Sequence, residues 1–226
     1  MPVAVLESVN LGRPRPNPYK PVEATGIGKE PVAGPVEVRD PGPKQGGLGS
    51  GLVGDFIGDR LHHGGDEQAV YVFQREDLDR WQVRLGRPLP SGFFGENLTT
   101  SGIDVAEARV GERWRVGAEV ELAVTAPRIP CSTFRGWMGE KGWAKRFTAD
   151  ARPGTYLRVL RPGTIQAGDP ISVLHRPDHE VTVSLYFRAE LTERELLPQL
   201  LAAGDDLPAG TRKDVERYLA RAGRRE

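Results

Sequence analysis

Proline and glycine interrupt this chain so often that short strands joined by irregular loops are the expected architecture. Pro14, Pro16 and Pro18 put three prolines into five residues. Proline offers no N–H to a sheet ladder and cannot sit inside a helix, so Gly12–Pro18 is expected as a loop. Asp40–Gly51 is dominated by glycine and proline and reads as a mobile loop. Pro127 and Pro130 follow the apolar run Val120–Thr125, which places residue 131 on a rigid turn. With 28 Gly and 19 Pro against a 38% hydrophobic fraction and 4 Trp, the chain reads as a loop-rich β protein rather than a disordered one.

Apolar runs and alternation predict strands at Val3–Val9, Ala69–Phe73, Arg109–Val116, Val120–Thr125, Gly154–Leu160 and Asp169–Leu174. Thr25–Val32 and Pro35–Val38 read as shorter strands. Leu78, Trp81 and Leu85 lie at i, i+3, i+7 and predict an amphipathic helix over Glu76–Leu85. Trp137, Met138, Trp143 and Phe147 predict a helix covering the core. Near the C-terminus, Thr192-x-x-Glu195 with Leu191 and Leu196 outside it has the form of a capping box with its staple, and predicts a helix start that Pro198 would kink or restart. A last helix is expected over Thr211–Ala222 with Gly223 as its stop. Glu180–Leu191 satisfies both a strand and a helix pattern.

Lys plus Arg and Asp plus Glu each number 31. This balance gives no general attraction to nucleic acid or an anionic membrane and leaves partner choice to a local site. No apolar run approaches the length that crosses a bilayer, and Met1–Glu7 lacks a basic segment before its short apolar stretch, so the expected address is the cytoplasm. Gly49, Gly51 and Gly54 satisfy G-x-G-x-x-G, but no predicted strand precedes them and no helix follows, which removes the reason to expect a dinucleotide.

Chemistry concentrates around Cys131, the chain's one cysteine. A lone thiol forms no internal disulfide. Arg128 and Arg135 flank it, and fixed positive charge raises the thiolate fraction on which nucleophilicity and metal binding depend. The alternative is a cysteine buried as a small hydrophobe. A second dense stretch runs from Gly54 to Phe73 and contains His62, His63, Gly64, Gly65 and Asp66. Its glycines admit a ligand close to the backbone and its imidazoles can take a proton or a metal, while a polar turn feeding Ala69–Phe73 explains it equally. His175 and His179 have metal-ligand spacing, but Pro177 between them denies a shared helix face.

These stretches, in order, resemble the MOSC family, named after the C-terminal domain of molybdenum cofactor sulfurases. The resemblance is carried by Thr25-Gly26-Ile27 with Gly34-Pro35-Val36, Gly54-Asp55 with His63-Gly64-Gly65-Asp66, Phe94-Gly95-Glu96-Asn97-Leu98, and Pro130-Cys131. It implies a mainly β fold, a closed antiparallel barrel with a few helices over residues 1–176, followed by a small three-helix C-terminal extension over 177–226. It also implies the molybdenum cofactor (molybdopterin), with Cys131 as metal ligand and catalytic residue and His63, Gly64, Gly65, Asp66, Glu96 and Asn97 near the cofactor. Arg60, Arg128 and Arg152 are candidates for the pterin phosphate, which suits bidentate guanidinium. A family association with pyridoxal phosphate comes with the resemblance too. Two activities follow from it: reduction of N-hydroxylated bases and related N-oxygenated compounds, or sulfur transfer through a Cys131 persulfide. With no cysteine left for an iron–sulfur cluster and no flavin motif, a reductase would take electrons from separate proteins, a flavin or iron–sulfur reductase.

Overall fold

The computed structural model describes residues 4–223. In chain order its elements are β1 (Val5–Leu11), β2 (Arg15–Pro16), β3 (Ala24–Thr25), β4 (Glu30–Pro31), β5 (Val36–Val38), β6 (Val70–Gln74), α1 (Arg75–Leu85), β7 (Leu98–Ser101), β8 (Arg113–Val116) and β9 (Val120–Pro127). There follow α2 (Ser132–Met138), α3 (Trp143–Asp150), β10 (Thr155–Arg161), β11 (Gly163–Ile165), β12 (Ile171–His175), α4 (Val183–Leu191), a 3₁₀ segment Arg194–Asp206, and α5 (Ala209–Ala222).

The closed, mainly β barrel does not form. Eight strands make one open mixed sheet in the order β12-β8-β9-β10-β6-β7-β1-β4, and the fold is mixed α/β. Parallel strands need a crossover, and α1 supplies it between β6 and β7, which run parallel with Val72 beside Leu98. Every other ladder is antiparallel. The ends of β1 and β12 approach only through an isolated bridge between Val5 and Pro170.

Strand β6, Val-Tyr-Val-Phe-Gln, is buried along its whole length. Successive side chains of a strand point to opposite faces, and here that alternation divides the interior in two. Val70 and Val72 join an aliphatic core with Leu6, Val9, Leu98, Leu122, Val124 and Leu157. Tyr71 and Phe73 join an aromatic core with Trp81, Phe94, Phe134, Trp143, Phe147 and Phe187. Phe94 meets Phe73, Phe134 and Trp143 edge-on at centroid distances of 5.1, 5.2 and 5.5 Å, a geometry the ring quadrupoles favour.

Other expectations fail locally. The helix expected across Trp137–Phe147 is two, because Gly139 and Gly142 both adopt left-handed φ, 65° and 70°, and end one helix before the next begins. Gly12–Pro18 contains the two-residue strand β2, paired with β3. Pro127 closes β9 opposite Thr155. Glu180–Leu191 yields helix α4, whose N-cap is Thr182, its side chain accepting from the Leu185 N–H at 3.1 Å. Thr192 ends that helix instead of starting the next one. Its hydroxyl donates to the Arg188 carbonyl, and the segment that follows, from Arg194, has no side-chain cap. The C-terminal helices bury Tyr186, Leu197, Leu200 and Val215 together with Val110. Val3 lies outside the described residues. No helix among the described residues is long and apolar enough to cross a membrane.

Phe94→Ala should lower stability by about 3–5 kcal/mol, since it opens a cavity where four rings meet. Val83→Ala, on an exposed side chain, should stay within about 0.5 kcal/mol. Urea unfolding of the two variants beside the parent checks the contrast.

Candidate functional site

Strand β9 ends at Pro127, and residues 128–130 carry the chain to Cys131, the N-cap of α2. Phe134, one turn into α2, is fully buried in the aromatic core. The Arg128 guanidinium lies over that ring at 3.5 Å and over Tyr71 at 5.6 Å, so the turn is held at both ends. Cys131 is thereby presented, half-buried, to a cavity of about 120 Å³.

The cavity is lined by segments that are distant in sequence. Asn17 and Lys20 come from the β2–β3 loop, Thr25–Ile27 and Lys29 from the next, Asp55–Asp59 with His63 and Gly64 from the loop before β6, and Tyr71, Phe94, Asn97, Arg128 and Tyr156 from the sheet side. Two glycines permit this convergence. A Cβ on Gly26 would stand 2.1 Å from the Phe56 carbonyl oxygen, and one on Gly64, at φ 82°, would stand 2.7 Å from that of Gly49.

Burial pushes the Cys131 thiol up, but the His63 imidazole, the Arg128 guanidinium and the Phe134 backbone N–H outweigh it and bring the thiol down to about 6. Near neutral pH the sulfur is a thiolate. Arg128 is 6% exposed and its Nη1 has no hydrogen-bond partner. Gln68 Oε1, on the same cavity, is also buried without one.

Two carboxylates on the cavity are already neutralised. Asp55 is paired with Lys29 and also accepts from Gly12 N–H at 2.7 Å, Ser50 Oγ at 2.7 Å and Asn97 Nδ2 at 3.0 Å. Asp59 pairs with Lys20 and with His62 Nδ1 at 2.9 Å. Although burial alone would raise it, the Lys20 ammonium and the hydrogen bond with His62 hold its carboxyl down at about 2. The adjacent histidines thus separate: His62 faces Asp59 and solvent, His63 the cavity.

Of the residues singled out in the sequence, Cys131, His63, Gly64, Asn97 and Arg128 line the cavity. The others lie elsewhere. Arg60 is exposed and donates to the Gly47 carbonyl. Gly65 turns the chain at φ 82° against the Lys44 backbone. Asp66 opens a 3₁₀ turn and accepts from the Glu67 N–H. Arg152 bonds to Asp77 at 2.9 Å and Asp104 at 2.7 Å. Glu96 is wholly buried and gathers the Gly92 and Phe94 N–H groups at 2.5 and 3.0 Å and the Thr99 hydroxyl at 3.1 Å. It fixes the loop that delivers Phe94 and Gly95 to the cavity wall. Burial raises its carboxyl to about 7 despite those donors. Sequence reasoning did not single out Lys20, Lys29, Asp59 or Gln68 as site residues, although Lys29 lies in the stretch Thr25–Val32 and Asp59 and Gln68 lie in the stretch Gly54–Phe73; only Lys20 was outside every stretch that pointed to the site.

Among the described residues no group of three or more His, Cys, Asp and Glu side chains could hold a metal ion. A metal at Cys131 would have to arrive with most of its own ligands. A soft thiolate for such a metal and a buried, unpaired guanidinium for an attached anion are both present.

Residues 59–172 match the MOSC domain family. The chain is similar to the uncharacterized protein YflK of Bacillus subtilis, 32% identical over 178 residues that make up 78% of this chain and 76% of YflK. It is also similar to a Gibberella moniliformis protein named reductase, 32% identical over 150 residues, which are 65% of this chain but only 26% of that protein. The crystal structure of YiiM from Geobacillus stearothermophilus superposes with a TM-score of 0.74 at 25% identity, covering 95% of this chain and 98% of that one.

Alkylation of Cys131 by iodoacetamide should reach half its maximal rate near pH 6, and His63→Ala or Arg128→Met should each move that midpoint up toward the ordinary thiol range; a rate–pH profile for the three proteins measures it. Glu96 has a folded value above its unfolded one, so the unfolded chain releases this proton first as pH rises. Its contribution to stability should therefore fall between about pH 4.5 and about pH 7, and Glu96→Gln should flatten that part of the stability–pH curve followed by urea unfolding.

Proposed function

Because the chain belongs to the MOSC domain family, we propose that it binds the molybdenum cofactor with Cys131 as the protein's ligand to the metal and reduces N-hydroxylated bases or related N-oxygenated compounds. The observation that carries this reading is the Cys131 thiolate beside the unpartnered guanidinium of Arg128 on one cavity. In balanced form, R–NHOH takes two electrons and two protons and gives R–NH₂ and water. When bound, the cofactor would supply the two-electron redox chemistry of this reduction.

The chain's own residues supply the rest. Cys131, already ionised, offers sulfur without a proton to displace. Arg128 would offer Nη1 to the cofactor's phosphate, and its burial would keep that contact out of competing water. His63 lies beside the sulfur at the mouth and can carry protons inward from solvent. Tyr71, Phe94 and Tyr156 line one side of the cavity with aromatic rings against which a heterocycle can rest. Lys20 and Lys29 keep Asp59 and Asp55 from presenting uncompensated negative charge to an anionic cofactor.

Molybdenum and pterin content of the chain and of Cys131→Ala, both expressed in a host that makes the cofactor, tests the reading. Stoichiometric molybdenum in the parent and its loss in the variant are expected. A parent free of molybdenum would overturn it, and a labile mass gain of one sulfur on Cys131 in that metal-free protein would assign a persulfide carrier instead.

A further inference from the structure

The proposed reaction does not by itself separate two kinds of N–O compound. A hydroxylamine or amidoxime keeps hydrogen on its N–O group, whereas an N-oxide carries none there. The acceptors on the cavity wall do separate them. The amide, threonine and carboxylate side chains of that wall, with the exception of Gln68, already accept hydrogen bonds from the protein. Asn17 Oδ1 accepts from the Tyr19 N–H at 3.2 Å, Thr25 Oγ1 from the Ile27 N–H at 3.1 Å, Asn97 Oδ1 from the Tyr71 N–H at 3.1 Å and Thr133 Oγ1 from Asn17 Nδ2 at 3.3 Å. Asp55 and Asp59 hold Lys29 and Lys20. Gln68 Oε1 alone of this set is buried without a donor.

Two bonds fix where that oxygen stands. The Gln68 N–H donates to the Gly65 carbonyl at 3.0 Å, and the neighbouring Glu67 carbonyl accepts from Thr125 Oγ1 at 2.7 Å. The first ties Gln68 to the turn that follows His63, whose imidazole bonds the Cys131 sulfur. The second ties it to β9, which runs on to Arg128. Gln68 is thus held on the thiolate's side of the cavity. Sulfur and oxygen are the atoms a molybdenum centre would bring to that side, and both are acceptors, so a donor for Gln68 has to come from the substrate.

We infer that Gln68 is a specificity-determining residue, whose amide oxygen accepts a hydrogen from the substrate's N–H or O–H and so selects N-hydroxylated compounds over N-oxides. This deepens the reductase reading and rests on it. R–NHOH and an N-oxide each take two electrons and two protons and release one water, so the electron balance does not favour either. The choice is made in binding. A compound with no donor leaves Oε1 unpaired, and a buried polar atom left unpaired by a ligand costs about tenfold or more in affinity.

Calorimetry on the full chain as purified, titrated with a hydroxylaminopurine and with a purine N-oxide, tests this without turnover. The parent should bind the hydroxylaminopurine about tenfold or more tightly. Gln68→Leu should abolish the difference by weakening the hydroxylaminopurine alone, and Gln68→Glu, which keeps an oxygen in that place, should retain part of it. Alkylation of Cys131 in Gln68→Leu should keep its midpoint near pH 6, because Gln68 reads the ligand and does not hold the thiol. Equal affinities or no binding of either compound by the parent, a preference for the N-oxide, a difference that survives Gln68→Leu, or a displaced midpoint would overturn the assignment. Reduction of the two compounds by chemically reduced viologen tests the reaction separately. A parent that binds the hydroxylaminopurine selectively but reduces neither compound leaves Gln68 its role in recognition while the reductase reading falls. One that reduces both and binds them equally keeps the reaction and removes that role.

Discussion

The stacking of Arg128 on Phe134 is the contact on which the site depends. A guanidinium at 6% exposure with one nitrogen unpartnered is costly to bury unless something offsets its lost hydration. Two aromatic faces, Phe134 and Tyr71, supply part of the offset, because a ring's negative face attracts a cation most strongly where water is excluded. The thiolate of Cys131 supplies another part. The same contact anchors the turn that carries the thiol, since Phe134 is locked between Phe94, Trp143 and Phe147. Position and ionisation of the sulfur therefore have one source in the aromatic core.

The cavity's ion pairs then determine which charge remains. Asp55 and Asp59 are nearly inaccessible and would otherwise make the floor negative. Lys29 and Lys20 cancel them, and Asp55 in addition gathers Gly12, Ser50 and Asn97 from three separate segments. That carboxylate works as a fastener that brings the loops together at the cavity. With both acids neutralised, Arg128 dominates the interior, and the field acting on Cys131 is positive although the chain as a whole carries no net charge.

How much of this was legible in the sequence follows from the range of each interaction. Apolar runs and alternation located β6, β9 and β10, because burial is imprinted on neighbouring residues. The rigid turn at Cys131 was legible because two prolines leave few alternatives. The two-helix break after Met138 rested on left-handed glycines that pattern reading passed over. Thr192 was misread because it closes α4, its hydroxyl donating back to the Arg188 carbonyl, while the next segment starts at Arg194 with no side-chain cap. Barrel closure came from family resemblance and failed because the sheet ends at β12 and β4 without pairing them, and the antiparallel expectation failed at β6 and β7, which run parallel around α1. Contacts such as Lys20 with Asp59, 39 residues apart, leave no trace in local composition. Glu96 and Arg152 show the converse: chemically suggestive residues whose surroundings turn them to structural use.

One imbalance is left inside the cavity. Arg128 Nη1 and Gln68 Oε1 are buried and unsatisfied, and each such atom costs about 1–3 kcal/mol relative to a bonded one. Two of them on one small cavity, one a donor and the other an acceptor, run against the near-complete satisfaction usual in protein interiors. Phe134 and Tyr71, which stack on Arg128, offset part of that penalty. A ligand that accepts from Arg128 and donates to Gln68 would recover it on binding, and its affinity would then be coupled to the stability of the fold by mass action. The polar groups that lack a protein partner in the cavity are thus the ones that would discriminate among its occupants.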